Sequence, residues 1–161
     1  MPIYMKYDGI DGSVTQKGHE KWIEILSCQF GAARSMTTLA GRAADREASE
    51  PSISEVVITK PNDDASAKLF EEAVIGTDGK KVTIEFVSTG SPGVKYLDVK
   101  LENVLVSSYT MSGSSGDGRP MESVSLNFTK VMISHYKMDQ KGAVTGSPII
   151  AGYDVAKAAK M

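Results

Sequence analysis

Apolar and polar residues alternate with a period of two along much of this chain, which puts one set of side chains on each face of an extended strand. Ile3, Met5 and Tyr7 share a face. Val82, Ile84 and Phe86 alternate with Thr83 and Glu85, and Leu97, Val99 and Leu101 with Asp98 and Lys100. Val124, Leu126 and Phe128 alternate with Ser123, Ser125, Asn127 and Thr129. The β-branched run at residues 55–59 predicts another strand, residues 133–138 a weaker one, and residues 149–153 a last one. Only one segment has helical spacing. Leu69, Phe70, Ala73 and Val74 predict an apolar stripe that packs on the sheets; Asn62, Asp63 or Asp64 caps its entry and Gly76 supplies a left-handed stop. Many strands and one helix predict a mainly β fold: a compact β-barrel of two sheets with one flanking α-helix and a long extended loop.

That loop is residues 31–52, where Gly, Ala, Arg, Asp and Glu mix without a sustained period. So long a connection in a small domain is usually functional or disordered. Residues 113–118 read as a flexible hairpin tip, and residues 154–161 as a tail that is mobile or helical. The 161 residues suit one domain, 1–161, with a core of its own.

Charge and cysteine content narrow the function classes. Lys and Arg total 18 against 20 Asp and Glu, which argues against a nucleic-acid partner needing a clustered cationic excess. No apolar run approaches the roughly 18–20 residues of a membrane span, so membrane insertion is not expected. The opening Met1-Pro2-Ile3-Tyr4-Met5-Lys6 has neither a basic nor an apolar signal region, so no signal peptide is expected. The lone Cys28 cannot close an internal disulfide, as befits a reducing compartment.

Candidate chemistry is thin. The glycines at 113–118 lead into Arg119-Pro120 rather than Lys-Ser/Thr and a helix, so a phosphate loop does not follow. Asp8, Asp11 and Glu20 lie in a turn between strands, without the two helices of a calcium-binding hand. His19 and His135 are far apart, and no His or Cys pair has metal-ligand spacing. Neither a catalytic residue nor a cofactor is expected. Cys28 shares a strand face with Leu26 and Phe30 and reads as a structural thiol; His19 beside Trp22 reads as a turn residue. One pattern remains. Ser27 and Gln29, with Ser123, Ser125, Asn127 and Thr129, give strand faces of hydroxyls and amides where Lys and Glu are more usual. Such a face is either a plain wet surface or a wide, mildly polar wall over which cargo or water passes.

Five segments together resemble the Hcp family (haemolysin-coregulated protein), the tube proteins of bacterial type VI secretion. They are Gly9-Ile10-Asp11-Gly12 through Lys17-Gly18-His19 and Trp22-Ile23-Glu24-Ile25-Leu26; Lys60-Pro61-Asn62-Asp63-Asp64-Ala65-Ser66 with Leu69; Leu101-Glu102-Asn103-Val104-Leu105-Val106-Ser107-Ser108-Tyr109; Glu122-Ser123-Val124-Ser125-Leu126-Asn127-Phe128; and Gly152-Tyr153-Asp154-Val155. Ser13 departs from the acidic residue frequent at that turn position, a local change only.

The resemblance implies a non-enzymatic subunit of the type VI inner tube. Homohexameric rings would stack inside a sheath beneath a spike, carry effectors through the lumen, and leave the bacterial cytoplasm by secretion. Ser27, Gln29, Ser123, Ser125 and Asn127 are then candidates to face lumen and cargo. Arg42, Asp45, Arg46 and Glu47 in the long loop are candidates for ring stacking, or are solvated loop charges. The alternative is a monomeric effector-binding chaperone or receptor module, which shares the polar face and has no need of the loop.

Overall fold

The computed structural model describes residues 1–90 and 93–161, with backbone alone at 43–45. Its strands are β1 (Ile3–Tyr7), β2 (Ile23–Ile25), β3 (Ser27–Gln29), β4 (Ala32–Ala33), β5 (Met36–Leu39), β6 (Arg42–Ala48), β7 (Ser52–Ile53) and β8 (Val56–Pro61). After helix α1 (Ser66–Ile75) come β9 (Lys80–Val87), β10 (Lys95–Ser112), β11 (Met121–Asn127), β12 (Lys130–His135), β13 (Ile149–Asp154) and β14 (Ala159–Lys160).

The 18-residue β10 organises the rest. Its first half lies between β9 and β12, in a sheet continued by β1 and β2 on one side and by β13 and β14 on the other. Its second half turns away to pair with β11, which pairs with β8, which pairs with β3. We call these sheets A and B. The bend falls where register slips between Leu101 and Val104 against β9, and again between Val106 and Ser108 against β11. Asn103 takes a positive φ of 55° there, a conformation asparagine tolerates better than most residues.

On the far side the chain changes sheets at Leu26, whose N–H donates to the Thr59 carbonyl at 2.8 Å. No ladder joins β2 to β8, so the predicted barrel of two sheets with a flanking helix is present but not closed. The alternating residues fill its interior: Met5, Ile23, Val56, Ile58, Ile84, Val124 and Leu126 are all fully buried.

Residues 31–52 do run out as an extended excursion, but one with its own pairing. β4 pairs β7 as a short stem, and β5 pairs β6 as a blade turning at Gly41, whose φ is +81°. Side chains of β5 are exposed throughout, as are the described ones of β6, so the described part of the blade buries nothing and needs no apolar period. That is why its strands were invisible to a periodicity argument. The tail expected to be mobile or helical instead completes β13 and folds back as β14.

The helix also corrects the sequence in three details. Its N-cap is Ala65 and has no side-chain cap, while Asp63 takes up the Ala65 N–H at 2.9 Å. Gly76 is extended at φ −64°, not left-handed; a Cβ there would meet the Glu72 carbonyl oxygen at 2.5 Å, so close approach is what demands glycine. Only Leu69 of the four stripe residues is fully buried, and Phe70 and Val74 stand out in solvent.

Candidate functional site: the hydroxyl face of sheet B

Sheet B turns Val56, Ile58, Val124 and Leu126 into the core and the alternate residues out. Its registers set those outward residues in rows. Ser27 lies opposite Thr59, Thr59 opposite Ser123, and Ser123 opposite Thr110. One row on, Gln29 lies opposite Val57, Val57 opposite Ser125, and Ser125 opposite Ser108. Asn127 follows, opposite Leu105. The five lumen candidates therefore occupy one continuous face, while Thr129 falls beyond the end of β11.

The face carries no charge in either of those rows. Ser27 and Thr59 hydroxyls share a hydrogen bond at 2.5 Å. Glu55, at the margin, accepts from Ser107 and, at 3.5 Å, from the Asn127 side-chain amide. Gln29, Ser123 and Ser125 make no side-chain hydrogen bond to the described residues, so their polar atoms are open to whatever lies against the sheet. Sequence reasoning missed Thr59, Ser108 and Thr110. Thr59 was hidden inside a β-branched run, and the slip at Ser107 puts Ser108 and Thr110 out of phase with the Val104 and Val106 positions just before them.

Behind the face lies a buried polar cluster that no motif suggested. Lys60 and Glu122 side chains have no solvent exposure, and their charged atoms are 2.7 Å apart. Lys60 Nζ also donates to Asp63 at 2.9 Å, to the Pro61 carbonyl at 2.9 Å and to Ser66 Oγ at 3.3 Å. Glu122 accepts in turn from Ser66 at 2.8 Å and from the Tyr109 hydroxyl. Burial and the bond to Glu122 together push the Tyr109 phenol well above its ordinary pKa. The available signal was phase: Lys60 follows Val56 and Ile58, and Glu122 precedes Val124 and Leu126, each on a core-facing position. A charge in that phase must be paired. The cluster ties β8, β11 and the start of α1 together.

Cys28, on the core side of β3, is half-buried, and burial pushes its thiol up to about 11. His19 folds back over sheet A, with its ring 4.6 Å from that of Tyr4 and 4.8 Å from Trp22 and Nε2 2.7 Å from Glu85. His135 is exposed at the end of β12. Of the loop charges, Arg42, Arg46 and Glu47 lie on β6 in the exposed blade, where Arg46 Nε reaches Thr38 Oγ1 at 3.4 Å. The Asp45 side chain lies outside the described residues. The blade springs from the β3 edge through β4, so the two candidate groups belong to adjoining elements and do not mix.

Residues 4–135 match the family model described as "Type VI secretion system effector, Hcp". The chain belongs to the Hcp family. It is 26% identical over 154 residues to protein hcp1 of Pseudomonas aeruginosa, covering 95% of this chain and 94% of that one. A solved structure of a type six secretion system protein superposes with a TM-score of 0.93 at 29% identity, covering 99% of both chains. Hcp1 from Salmonella typhimurium gives 0.75 at 25% identity, over 99% of this chain and 98% of that one. The fold anticipated from five motifs is thus the family's fold. Among the described residues, no helix is long and apolar enough to cross a membrane.

Proposed function

We propose that this Hcp chain is a structural subunit of the type VI inner tube, closing into hexameric rings that stack inside the sheath behind the spike and carry effectors. The lumen wall is the outer face of sheet B. The observation that carries this reading is the gathering of Ser27, Thr59, Ser123, Thr110, Gln29, Ser125 and Ser108 into adjacent rows without a charge. A conduit needs a wall that hydrogen-bonds water and cargo alike without holding either by ion pairing, and hydroxyls and amides supply that. Sheet B also ends in two open edges, β3 and the second half of β10. A head-to-tail ring is the closed arrangement that covers both in every copy. Among the described side chains of residues 36–48 all are exposed, which suits the blade to reach the next ring.

Electron microscopy of the purified protein tests the reading directly, with rings or short tubes expected. A monomer by light scattering at high concentration refutes ring assembly and leaves the monomeric chaperone or receptor. Deleting residues 40–47 separates the levels: rings persist while stacking fails. Gln29→Arg keeps the ring and loses any protein that co-purifies in its lumen; loss of the ring would mean the wrong face was assigned.

A further inference from the structure

Four Asp-Gly steps occur in the chain, at residues 8–9, 11–12, 78–79 and 117–118. In such a step the glycine nitrogen can attack the preceding carboxyl carbon, because glycine has no Cβ to crowd it. Ring closure needs the two atoms within about 3–3.5 Å, in a backbone conformation that regular turns and strands do not supply. How firmly the fold holds each step therefore decides whether it reacts.

Three of the four are held. The Asp8 N–H donates to the Lys81 carbonyl at 3.1 Å, and the Ile10 N–H closes the turn onto the Tyr7 carbonyl at 3.1 Å, between two core side chains. Gly12 is buried, and its N–H donates to the Lys21 carbonyl at 2.8 Å. Gly79 is packed so closely on Asn103 that a Cβ would stand 1.8 Å from its Oδ1. The fourth step differs. Residues 113–118, which join β10 to β11, are exposed throughout, and Gly118 has open space where a Cβ would stand. The Asp117 N–H reaches only the Ser114 carbonyl, at 3.3 Å and within the same tip. The Ser114 hydroxyl also donates to the Asp117 carboxylate, which draws negative charge away from the carbon under attack.

We propose that Asp117 is a site of spontaneous backbone rearrangement to isoaspartate. The Gly118 nitrogen bonds to Asp117 Cγ, and one carboxyl oxygen leaves as water with the amide proton and a proton from solvent. The product is a five-membered succinimide. Water then opens it at either carbonyl, which restores aspartate or routes the chain through Cβ and Cγ and leaves a free α-carboxylate. That carboxylate is the chemical group that an isoaspartyl methyltransferase esterifies with the methyl of S-adenosylmethionine. The inference does not depend on the ring reading.

Purified full-length chain, held for days at mildly acidic pH and physiological temperature, tests this by peptide mass mapping and by methyl labelling with such an enzyme. A succinimide is read as the loss of one water, and isoaspartate as a labelled peptide of unchanged mass. Product at Asp117 is expected to exceed that at each other Asp-Gly step by about tenfold or more, since those must first open. In urea the preference should collapse. Asp117→Glu, whose longer side chain cannot close a five-membered ring, should abolish the label at the tip. Asp117→Asn should react faster than the parent, with ammonia leaving in place of water. Similar yields at all four steps, or a preference that survives in urea, overturn the proposal. So does a tip label that persists in Asp117→Glu, or an Asp117→Asn tip that stays intact.

Discussion

Replacing Lys60 with methionine isolates the energetics of the buried cluster. The change removes the ammonium that lies 2.7 Å from Glu122 and 2.9 Å from Asp63, and leaves the Glu122 carboxylate without solvent or counter-charge. Breaking a buried ion pair from one side costs about 3–5 kcal/mol. Here Glu122 retains hydrogen bonds from Ser66 and Tyr109, and Asp63 retains the Ala65 N–H, so the lower figure of about 3 kcal/mol is expected. With a urea slope of about 2 kcal/mol per molar, the midpoint falls by about 1.5 M. The measurement belongs at a concentration where the chain is monomeric, since any assembly would add its own stabilisation. The double variant Lys60→Met with Glu122→Leu removes both charges and should lose less than the sum of the singles, by about 1 kcal/mol or more. A Lys60→Met loss below about 1 kcal/mol, or strict additivity, would show that water reaches these charges and would falsify the burial argument.

Three further outcomes follow from local geometry. Gly12→Ala forces a Cβ to within 2.3 Å of the Trp22 carbonyl oxygen, so it should destabilise by about 1–3 kcal/mol in the same urea titration. Because the Cys28 thiol is raised to about 11 by burial, its alkylation by iodoacetamide should climb about tenfold per pH unit through pH 8–10; a plateau near pH 8.5 refutes that burial. The stability sign is the same: the folded chain holds this proton longer than the unfolded one, so the contribution is present below the unfolded pKa and is lost as pH rises toward 11. Amides of β5 and β6 should exchange hydrogen through local openings, at rates that Lys60→Met leaves unchanged; acceleration in step with the core would mean the blade is packed.

The strands with one wet and one dry face were legible because burial writes a period of two into sequence, as at Ile3, Met5 and Tyr7 or Val82 and Ile84. The hydroxyl face was half legible. Its β3 and β11 residues could be named, but their adjacency depends on β8 lying between them, and pairing over such separations leaves no local trace. The blade was illegible for the opposite reason, since strands that bury nothing need no pattern. Phe70 and Val74 misled: helical spacing showed that they share a face, but not whether that face met this chain's sheets. Lys60 and Glu122 could have been noticed as charges in core phase, though their pairing is a matter of register again.

The long β10 has a consequence for synthesis. Strand β1 forms its longer ladder with β9, Ile3 facing Phe86, and β8 waits for β11, Ile58 facing Val124. Neither sheet can be completed before β10 emerges to bridge them. At about 5–20 residues per second, roughly 80 residues separate β1 from its main partner by about 4–16 s. Through that interval the nascent chain presents apolar strand faces with no sheet to receive them. Folding begins in earnest only when the hairpin of β10 with β11 and β12 clears the exit tunnel, late in the life of the nascent chain.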